Sequence, residues 1–346
     1  MRVFLATYQS IMLTRGGPTY VLIELKKEFK KLGLEAPFFN LWKGNFEFGK
    51  DDIFHIFVAD VRNYAFAKSL VKTGIKYVVS PIFFSRHSPF LIKSYRILES
   101  ISRKILKGIY SEFSMVKMVC NNAELILPNT MAEANLLIKG LGVARNKIRL
   151  MYNGVEERFL HGDPSLFEKK YGMKDFILNV GHIGSERKNT FSLIKALQKI
   201  DHPAVIITDF FKNELTNECI RKARKNKNLL IVNEIAHDDP LLASAYASCK
   251  TFVLPSMFET PGIAAMEAGL AGANIVITPY GGTKEYFKDM VDYVDIYSID
   301  SIRETILNSL NKKPNERLKE YIKKNFLWSV IAQKTVEIYK EVLNKL

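Results

Sequence analysis

Short runs rich in Val, Ile and Phe alternate with longer amphipathic stretches along almost the whole chain. Buried parallel strands have nearly continuous apolar sequences, and the amphipathic stretches between them form crossover helices. The alternation therefore predicts an α/β fold with parallel sheets. Since 346 residues are too many for one small domain, we expect two doubly wound domains with a cleft between them.

The apolar runs predict the strands, and flanking residues predict the first helix. Pro18 suits the first turn of this helix and Gly33 suits its C-cap. The predicted strands are Val3–Thr7, Ala36–Asn40, Ile53–Val58, Tyr77–Ser80, Leu125–Leu127, Ile148–Tyr152, Phe176–Val180, Ala204–Thr208, Leu229–Val232, Thr251–Leu254 and Ile275–Thr278.

The pattern breaks around residues 156–175, where polar and turn-forming residues accumulate. We interpret this stretch as the connection between an N-terminal domain, residues 1–160, and a C-terminal domain, residues 161–325. The tail from Asn325 to Leu346 has the pattern of one long helix.

Positive charge is concentrated in the first half of the chain. The whole chain carries 50 Lys and Arg against 36 Asp and Glu, a net charge of +14 with neutral histidine. Residues 1–160 hold 24 basic and 13 acidic side chains, a net of +11. An anionic partner is expected here, such as nucleic acid, an acidic lipid surface or a phosphorylated substrate; a merely soluble basic surface is the simpler interpretation.

Cysteine usage and the N-terminus indicate the compartment. Cys120, Cys219 and Cys249 are widely spaced in apolar surroundings, which fits reduced, buried thiols. The N-terminal sequence turns polar too soon for a signal peptide, and no apolar run approaches the roughly 18 residues of a membrane-spanning helix. We therefore expect a cytoplasmic protein that meets a membrane only from its surface, at the inner face of the cytoplasmic membrane.

Two glutamates flank a predicted helix start in the segment Thr251–Gly269. Glu259 lies on the loop after a buried strand, where it could hold the hydroxyls of a sugar. Glu267 lies one turn into the helix, where it could accept hydrogen bonds from the vicinal hydroxyls of a ribose. The backbone N–H groups at such a helix start can bind an anion such as diphosphate. They belong to Gly262, Ile263 and Ala264.

This segment closely resembles the signature of the retaining GT-B glycosyltransferases of family four, the glycosyl transferases of group 1. The resemblance implies two Rossmann-like domains, of which the first binds the acceptor and the second binds a nucleotide diphosphate sugar. It also implies that the closing helix, about residues 326–346, returns to the first domain. Further segments resemble the family in the same order: Gly16-Gly17, Tyr152-Asn153-Gly154-Val155, Val180-Gly181-His182, Arg187-Lys188-Asn189, Gly281-Gly282-Thr283-Lys284-Glu285, and Phe326, Trp328 and Tyr339.

The resemblance implies that Lys188 and Glu259 carry the chemistry. A lysine is a mobile point charge, which suits a diphosphate whose negative charge grows as its bond to the sugar breaks. Arg187 is the neighbouring candidate, and we expect only one of the two cations to reach the donor. The acceptor hydroxyl would attack from the face that the diphosphate leaves, with retention at the anomeric carbon.

Other positions depart from the family pattern or extend it. His182 is a candidate for donor binding because it stands where many members have an arginine that holds the diphosphate; either Arg187 compensates for the missing arginine, or His182 makes a neutral hydrogen bond, or it merely packs. Gly16 and Gly17 would let the backbone approach the diphosphate. His87 comes several residues later than the histidine that members often place near the donor sugar. The chain has no Asp-x-Asp triplet, so no metal or other cofactor is indicated, and a UDP or GDP sugar is the expected donor.

Basic and apolar residues are interleaved over residues 86–107. The simpler interpretation is a helix that buries its apolar face in the core and shows its charges to water. The other is a helix that rests on an anionic membrane or holds an acidic acceptor. The basic residues are Arg86, Lys93, Arg96, Arg103, Lys104 and Lys107.

The predicted reaction is sugar transfer from a nucleotide diphosphate sugar to a saccharide or lipid-linked hydroxyl, in cell-surface polysaccharide, lipopolysaccharide or glycolipid synthesis. A sugar-nucleotide epimerase or a phosphorylase of related fold remains an alternative. So do a non-catalytic protein that binds nucleotide sugar and a nucleic-acid-binding protein, although no nucleic-acid motif supports the last.

Overall fold

The computed structural model describes residues 1–13, 16–40, 42, 47–85, 87–103, 110–233 and 235–344. The chain divides into two compact units. Unit 1 consists of Met1–Gly154 and Trp328–Leu346, and unit 2 consists of Val155–Leu327. The chain passes from unit 1 to unit 2 between Gly154 and Val155, slightly before the predicted boundary between residues 160 and 161.

Unit 1 is built on a parallel sheet whose strands lie in the order β1-β2-β3. Apolar side chains of these strands are buried on both faces, as expected for a sheet covered by helices. The strands are β1 (Arg2–Ala6), β2 (Asp52–Phe57) and β3 (Tyr77–Ser80).

Three strands predicted for unit 1 are wrong: Ala36–Asn40, Leu125–Leu127 and Ile148–Tyr152. The chain there joins the sheet through isolated bridges. Pro37, within the first stretch, and Pro128, directly after the second, give a physical reason for these two, because proline lacks the N–H that a continuous ladder needs. In these three stretches the bridges pair Leu5 with Phe38, Val79 with Ile126, and Ile126 with Ile148.

Helices follow the strands of unit 1. The first begins at Gly17 with Pro18 in its first turn, and Gly33, just beyond its end, has a φ of 73°. A π-helical turn at Leu136–Leu141 continues the last helix of this group, and 3-10 turns cover Gln9–Met12 and Arg145–Lys147. The helices are α1 (Gly17–Lys31), α2 (Val61–Lys72), α3 (Pro89–Ser102), α4 (Glu112–Asn122) and α5 (Met131–Asn135).

Helix α3 contradicts the expectation that its apolar face is buried and its charges point to water. Glu99 is turned into the protein, whereas Phe90 and Leu98 are exposed. Hydrogen bonds from the start of α4 explain this orientation. The backbone N–H and hydroxyl of Ser111 and the hydroxyl of Ser114 donate to the Glu99 carboxylate. Residues 86 and 104–107 of the predicted basic stretch lie outside the described residues.

Unit 2 contains a second parallel sheet, with strand order β6-β5-β4-β7-β8-β9. The chain runs from β4 outward to β6 and then returns to β7 on the other side of β4, so the strand order reverses between β4 and β7. Ligands of open α/β sheets bind beyond the carboxyl ends of strands at such a reversal. The strands are β4 (Phe176–Val180), β5 (Ala204–Thr208), β6 (Leu229–Asn233), β7 (Cys249–Leu254), β8 (Asn274–Ile277) and β9 (Asp292–Tyr293).

Residues 156–175 belong to unit 2 and are not the connection that we expected. Phe159, in a 3-10 turn at Glu157–His161, and Phe167 are both fully buried, so the polar residues between them cover a packed surface. A further 3-10 turn covers Glu186–Lys188. The helices of unit 2 are α6 (Pro164–Tyr171), α7 (Thr190–Leu197), α8 (Glu214–Ala223), α9 (Pro240–Ser248), α10 (Ile263–Leu270), α11 (Thr283–Phe287), α12 (Ile299–Leu310) and α13 (Glu316–Phe326).

The tail is not one helix from Asn325 onward. Leu327 is extended and forms a bridge with Val155, whose N–H donates to the Phe326 carbonyl over 2.8 Å. This pairing interrupts the helical pattern, and the final helix, α14, covers Trp328–Asn344 in unit 1. None of the helices in the described part of the chain has the length and apolar character needed to cross a membrane.

Candidate functional site

The candidate site of unit 2 lies on the loops after β4 and β7, which are adjacent at the strand reversal. His182, Arg187 and Lys188 follow β4, and Glu259 follows β7. Because both strands are parallel, their carboxyl ends meet at the same edge of the sheet. Residues far apart in sequence are therefore brought together here.

Lys188 and Arg187 form an ionic cluster around the buried carboxylate of Glu259. The Nζ of Lys188 lies 2.7 Å from Oε1 of Glu259, and Nη1 of Arg187 lies 3.2 Å from the same oxygen. The Ser256 hydroxyl also donates to this oxygen, over 2.7 Å. Arg187 Nη1 donates in addition to the Phe258 carbonyl over 3.1 Å. Both cations thus reach one carboxylate oxygen.

Asn189 fixes the loop that carries the two cations. It has a φ of 53°, a backbone conformation that asparagine tolerates better than most residues, and it caps α7. Its Nδ2 donates to the carbonyls of Pro255 and Ile296 over 3.1 and 3.0 Å. The Met257 N–H donates to the Arg187 carbonyl over 2.7 Å. The β4 and β7 loops are therefore tied together by backbone as well as by charge.

The backbone of Glu259 is held by a third loop, after β8. Its N–H donates to the Tyr280 carbonyl over 3.1 Å, and its carbonyl accepts from the Gly282 N–H over 2.8 Å. Gly281, between these partners, has a φ of 93°, and a Cβ there would overlap the Glu259 carbonyl. Only glycine fits this position, and the predicted turn at residues 281–285 therefore has a local role in holding Glu259.

Electrostatics keep Glu259 ionised. Burial alone would raise the pKa of this carboxyl, but the charges of Lys188 and Arg187 and the hydrogen bonds from Lys188 and Ser256 outweigh burial and hold its pKa below the usual value. The arrangement is a fixed anion with two cations beside it. It can hold a polyhydroxyl group on the carboxylate and a phosphate group on the cations.

Helix α10 begins directly after this loop. Gly262 is its N-cap with a φ of 88°, the preceding Thr260-Pro261 peptide bond is cis, and the helix starts at Ile263. The N–H groups of the first helical residues, including that of Ala264, have no acceptor within a helix and remain able to bind an anion.

Glu267, on α10, is nearly fully buried and makes separate contacts. The Tyr246 hydroxyl donates to its Oε2 over 2.8 Å, and Nε2 of His237 lies 3.1 Å from its Oε1. A carboxylate oxygen accepts two hydrogen bonds, so each Glu267 oxygen retains capacity for another donor. Two donors fixed in this way orient the carboxylate.

His237 bridges two carboxylates. Its Nδ1 lies 3.5 Å from Oε1 of Glu156, and Arg158 contacts both Glu156, at 3.2 Å, and the His237 carbonyl. Burial lowers the pKa of His237, but the hydrogen bond and charge of Glu267 and the charge of Glu156 raise it above 6.5 overall. The sequence alone does not predict His237, Tyr246 and Ser256 as residues of the site. The two that contact Glu267 lie 30 and 21 residues from it, and no local pattern connects them.

His182, Gly16 and Gly17 are the remaining predicted donor-binding residues. His182 packs against Phe211, and its Nδ1 lies 3.8 Å from Oδ2 of Asp209. Gly16 and Gly17 lie in unit 1 at the start of α1, where neither has a positive φ and a Cβ would meet nothing within 4 Å. The local structure of unit 1 therefore does not itself require glycine at these two positions.

Two further predictions concern His87 and metal binding. His87 is exposed, and its ring contacts Tyr95 and Phe113. Among the residues that the structure describes, no group of three or more His, Cys, Asp or Glu side chains is placed to hold a metal ion.

Residues 166–325 match the family described as glycosyl transferases group 1. They lie entirely within unit 2 and contain both the Lys188–Glu259 cluster and Glu267. This region belongs to the glycosyl transferases of group 1. Its ionic cluster and the start of α10 are thus parts of a group 1 region, as the resemblance implies.

Curated relatives support the same assignment over more of the chain. An uncharacterized glycosyltransferase of Methanocaldococcus jannaschii is 27% identical over 223 residues, which are 56% of this chain and 54% of the relative. The match thus spans about half the length of that protein. An uncharacterized 41.2 kDa protein in the cps region of Klebsiella pneumoniae is 21% identical, over 74% of this chain and 77% of its own length.

Solved structures show that the whole chain has the GT-B fold of two parallel-sheet α/β domains. Sucrose-phosphate synthase from Thermosynechococcus elongatus superposes with a TM-score of 0.76 at 13% identity and covers 100% of both chains. Anabaena HepE in complex with UDP-glucose superposes with a TM-score of 0.68 at 16% identity, also over 100% of both chains. The fold predicted from the sequence is confirmed.

Proposed function

We propose that this chain is a retaining glycosyltransferase that moves a sugar from a nucleotide diphosphate sugar to a hydroxyl acceptor. The observation that carries the proposal is the cluster of Lys188, Arg187 and Glu259 beside the first N–H groups of α10. The group 1 family match supports it.

In the proposed reaction, the acceptor oxygen bonds to the anomeric carbon as the bond from that carbon to the diphosphate breaks, and a phosphate oxygen of the donor takes the acceptor proton. Lys188 stabilises the leaving diphosphate. As the bond to the sugar breaks, negative charge grows on the phosphate oxygens, and a cation already fixed in a buried site stabilises that charge without reorganising solvent. Glu259 holds Lys188 and Arg187 in place before the donor binds and accepts hydrogen bonds from the sugar hydroxyls. Because Arg187 contacts the same Glu259 oxygen as Lys188, we replace the expectation that only one cation reaches the donor. Arg187 and the N–H groups of Ile263 and Ala264 hold the remaining phosphate oxygens.

Glu267 would bind the ribose of the donor. Tyr246 and His237 each occupy one of its carboxylate oxygens, and the second acceptor position of each oxygen suits one hydroxyl of a vicinal diol. Such an arrangement does not depend on the base. Since a structure of similar fold was solved with UDP-glucose, UDP sugars are the first donors to test, and GDP sugars are the second.

The acceptor is proposed to be a saccharide or lipid-linked hydroxyl in the synthesis of a cell-surface polysaccharide, lipopolysaccharide or glycolipid. The similarity to a protein of a cps region supports this setting. The three cysteines are free and buried, which suits the reducing cytoplasm proposed as the compartment.

The experiment compares donor binding with turnover. UDP binding is measured by calorimetry, and UDP release from UDP-glucose and other UDP sugars is followed with and without saccharide acceptors. We expect Lys188→Ala to lower kcat by about 100-fold, because it removes charge stabilisation in the transition state. Glu267→Ala should instead weaken UDP binding by about tenfold, because it removes charge-assisted hydrogen bonds.

Lys174→Ala is the matched control, because this lysine is an exposed cation of unit 2 whose contact with Glu168 is a 3.7 Å ion pair. It should leave both quantities unchanged. The anomeric configuration of a product, read by NMR, tests retention. Equal UDP affinity and turnover in the wild type and in both site variants would contradict the assignments.

A further inference from the structure

Helix α3 of unit 1 presents most of its large apolar side chains to water. Phe90 is 75% exposed and Leu98 is 64% exposed. Since consecutive helical residues are about 100° apart, the exposed apolar positions fall on one side of the helix. They are Phe90, Leu91, Tyr95, Ile97, Leu98 and Ile101.

The opposite side of α3 is fixed into the protein by apolar packing and by charge. Ile92 is fully buried and lies so close to Gly140 of the π-helical turn that a Cβ there would be 3.2 Å from Cγ2 of Ile92. Arg96 Nη1 donates to the carbonyls of Gly140 and Leu141 over 3.1 and 2.5 Å. Glu99 accepts 2.5 Å hydrogen bonds from the hydroxyls of Ser111 and Ser114.

These contacts determine which way the helix faces. Turning the apolar side chains inward would break the hydrogen bonds of Arg96 and Glu99 and leave the Gly140 and Leu141 carbonyls and the Ser111 and Ser114 hydroxyls without these partners. The outward apolar face is therefore a built feature of unit 1. Contiguous apolar patches of this kind on a protein surface mark interaction sites.

Charge identifies the partner. Lys93, on α3, and Arg103, directly after its end, are exposed, and the guanidinium of Arg103 lies 4.1 Å from the centre of the Tyr110 ring. Glu99 is the only acidic residue among residues 86–107, and it is turned inward. The described surface of α3 thus combines an apolar face with positive charge and no exposed acid, which is the pattern of a helix that lies on anionic lipid.

We propose that α3 docks unit 1 on an anionic lipid surface. The helix is about 21 Å long at 1.5 Å per residue and lies parallel to the bilayer, with Ile97, Leu98 and Ile101 below the headgroups. Lys93 and Arg103 contact lipid phosphates, and Tyr95 lies at the headgroup level, where aromatic rings are favoured. A second copy of this chain fits the face less well, because it would bring the same positive charges against it.

The experiment is cosedimentation of the full chain with vesicles of phosphatidylcholine alone and with vesicles that also contain phosphatidylglycerol. We expect binding to the anionic vesicles, at least about tenfold tighter than to the neutral ones and weakened by salt. The double variant Ile97→Ser/Leu98→Ser should lower the affinity for anionic vesicles by about tenfold or more. Lys93→Glu should weaken binding to the anionic vesicles and leave binding to the neutral vesicles unchanged.

Tyr297→Ser is the matched control, since this aromatic residue of unit 2 is also 75% exposed. It should bind vesicles as the wild type does, and all variants should keep the wild-type melting temperature because the changed side chains are exposed. Absence of vesicle binding, equal binding to both kinds of vesicle, or undiminished binding of the double variant would each overturn the proposal. A dimer in light scattering that the double variant dissociates would overturn it in favour of a second copy as the partner. Because vesicle binding needs no donor, these results are independent of those for the proposed transferase function.

Discussion

Glu259 is buried, yet three donors converge on one of its carboxylate oxygens. Lys188 and Arg187 bring two positive charges to Oε1, and Ser256 adds a neutral hydrogen bond. A buried carboxylate without partners would be costly and would take up a proton. Here the pairing outweighs desolvation, and the same pairing holds both cations in the positions that we propose for binding the diphosphate.

His237 makes a pH-dependent contact with the second glutamate of the site. Protonated histidine donates from both ring nitrogens and can satisfy Glu156 and Glu267 together, whereas neutral histidine has one N–H and can satisfy only one of them. Arg158 and Tyr246 also face this group, and Arg158 lowers the pKa of His237 while the two carboxylates raise it. The pKa of His237 is higher in the folded protein than its unfolded value near 6.5. The stabilisation of the folded protein by protonated His237 is therefore complete below pH 6.5 and is lost as the pH rises through the folded pKa.

We therefore predict that UDP affinity falls as the pH rises through the raised pKa of His237. Glu156→Gln removes one of the carboxylates that raise this pKa without touching Glu267, so the fall should begin at a lower pH. Calorimetric titrations with UDP across the pH range measure both curves. Glu304→Gln, which changes an exposed glutamate of α12, is the control and should follow the wild type. Superimposable curves for wild type and Glu156→Gln would show that His237 does not position Glu267.

At the scale of elements, the loop after β8 holds the backbone of Glu259. We predict that Gly281→Ala destabilises the protein by about 3 kcal/mol or more, because a positive φ is strained for alanine and the new methyl group would overlap the Glu259 carbonyl. UDP affinity should fall as well, since Glu259 and its two cations would shift. Urea unfolding and UDP calorimetry measure the two effects.

Gly272→Ala is the control that separates backbone strain at a positive φ from overlap of the new methyl group with Glu259. Gly272 has a φ of 102°, but a Cβ there would meet nothing within 4 Å. This variant should lose only about 1 kcal/mol and should bind UDP normally. Equal destabilisation by the two substitutions would mean that overlap with Glu259 contributes nothing.

The sequence predicts the elements that depend on local pattern. Tyr77–Ser80, Phe176–Val180 and Ala204–Thr208 are strands with the predicted bounds, since each is an apolar run that is buried throughout or nearly so. The break at Leu327 could not be predicted in this way, because its bridging partner, Val155, lies far away in the chain. The sequence pattern of α3 also does not reveal which face of the helix is buried. That depends on the hydrogen bonds that Ser111 and Ser114 donate to Glu99.

The same distinction holds for the candidate site. Lys188 and Glu259 are predicted from their own segments, and the structure brings them within 2.7 Å. Their roles toward a donor remain predictions. Ser256 lies within the segment Thr251–Gly269, but its contact with Glu259 depends on how the loop folds. Tyr246 reaches Glu267 from another helix and only because α9 and α10 pack together, which no motif records.

At the scale of the molecule, the final helix packs with the N-terminal part of the chain in unit 1. The ring of His55, on β2, is fully buried, with Nδ1 2.7 Å from the Tyr339 hydroxyl on α14 and Nε2 2.8 Å from the Ser80 hydroxyl on β3. Burial lowers the pKa of His55 to about 3, so this histidine stays neutral in the folded protein. The final helix, which follows all of unit 2 in sequence, is thereby joined to the central strand of the unit 1 sheet.

We predict that Tyr339→Phe lowers the free energy of unfolding by about 1–3 kcal/mol, because it leaves a buried ring nitrogen of His55 without its partner. Below pH 6.5 the wild type should also lose stability as the pH falls, since the unfolded chain binds a proton on His55 that the folded chain does not. Urea unfolding at several pH values measures both effects, with Tyr297→Phe as the control because Tyr297 is exposed. If Tyr339→Phe unfolds at the same urea concentration as Tyr297→Phe, the hydrogen bond to His55 does not hold α14 to the sheet. Apolar packing of α14 against α1 would then be what keeps the end of the chain in unit 1.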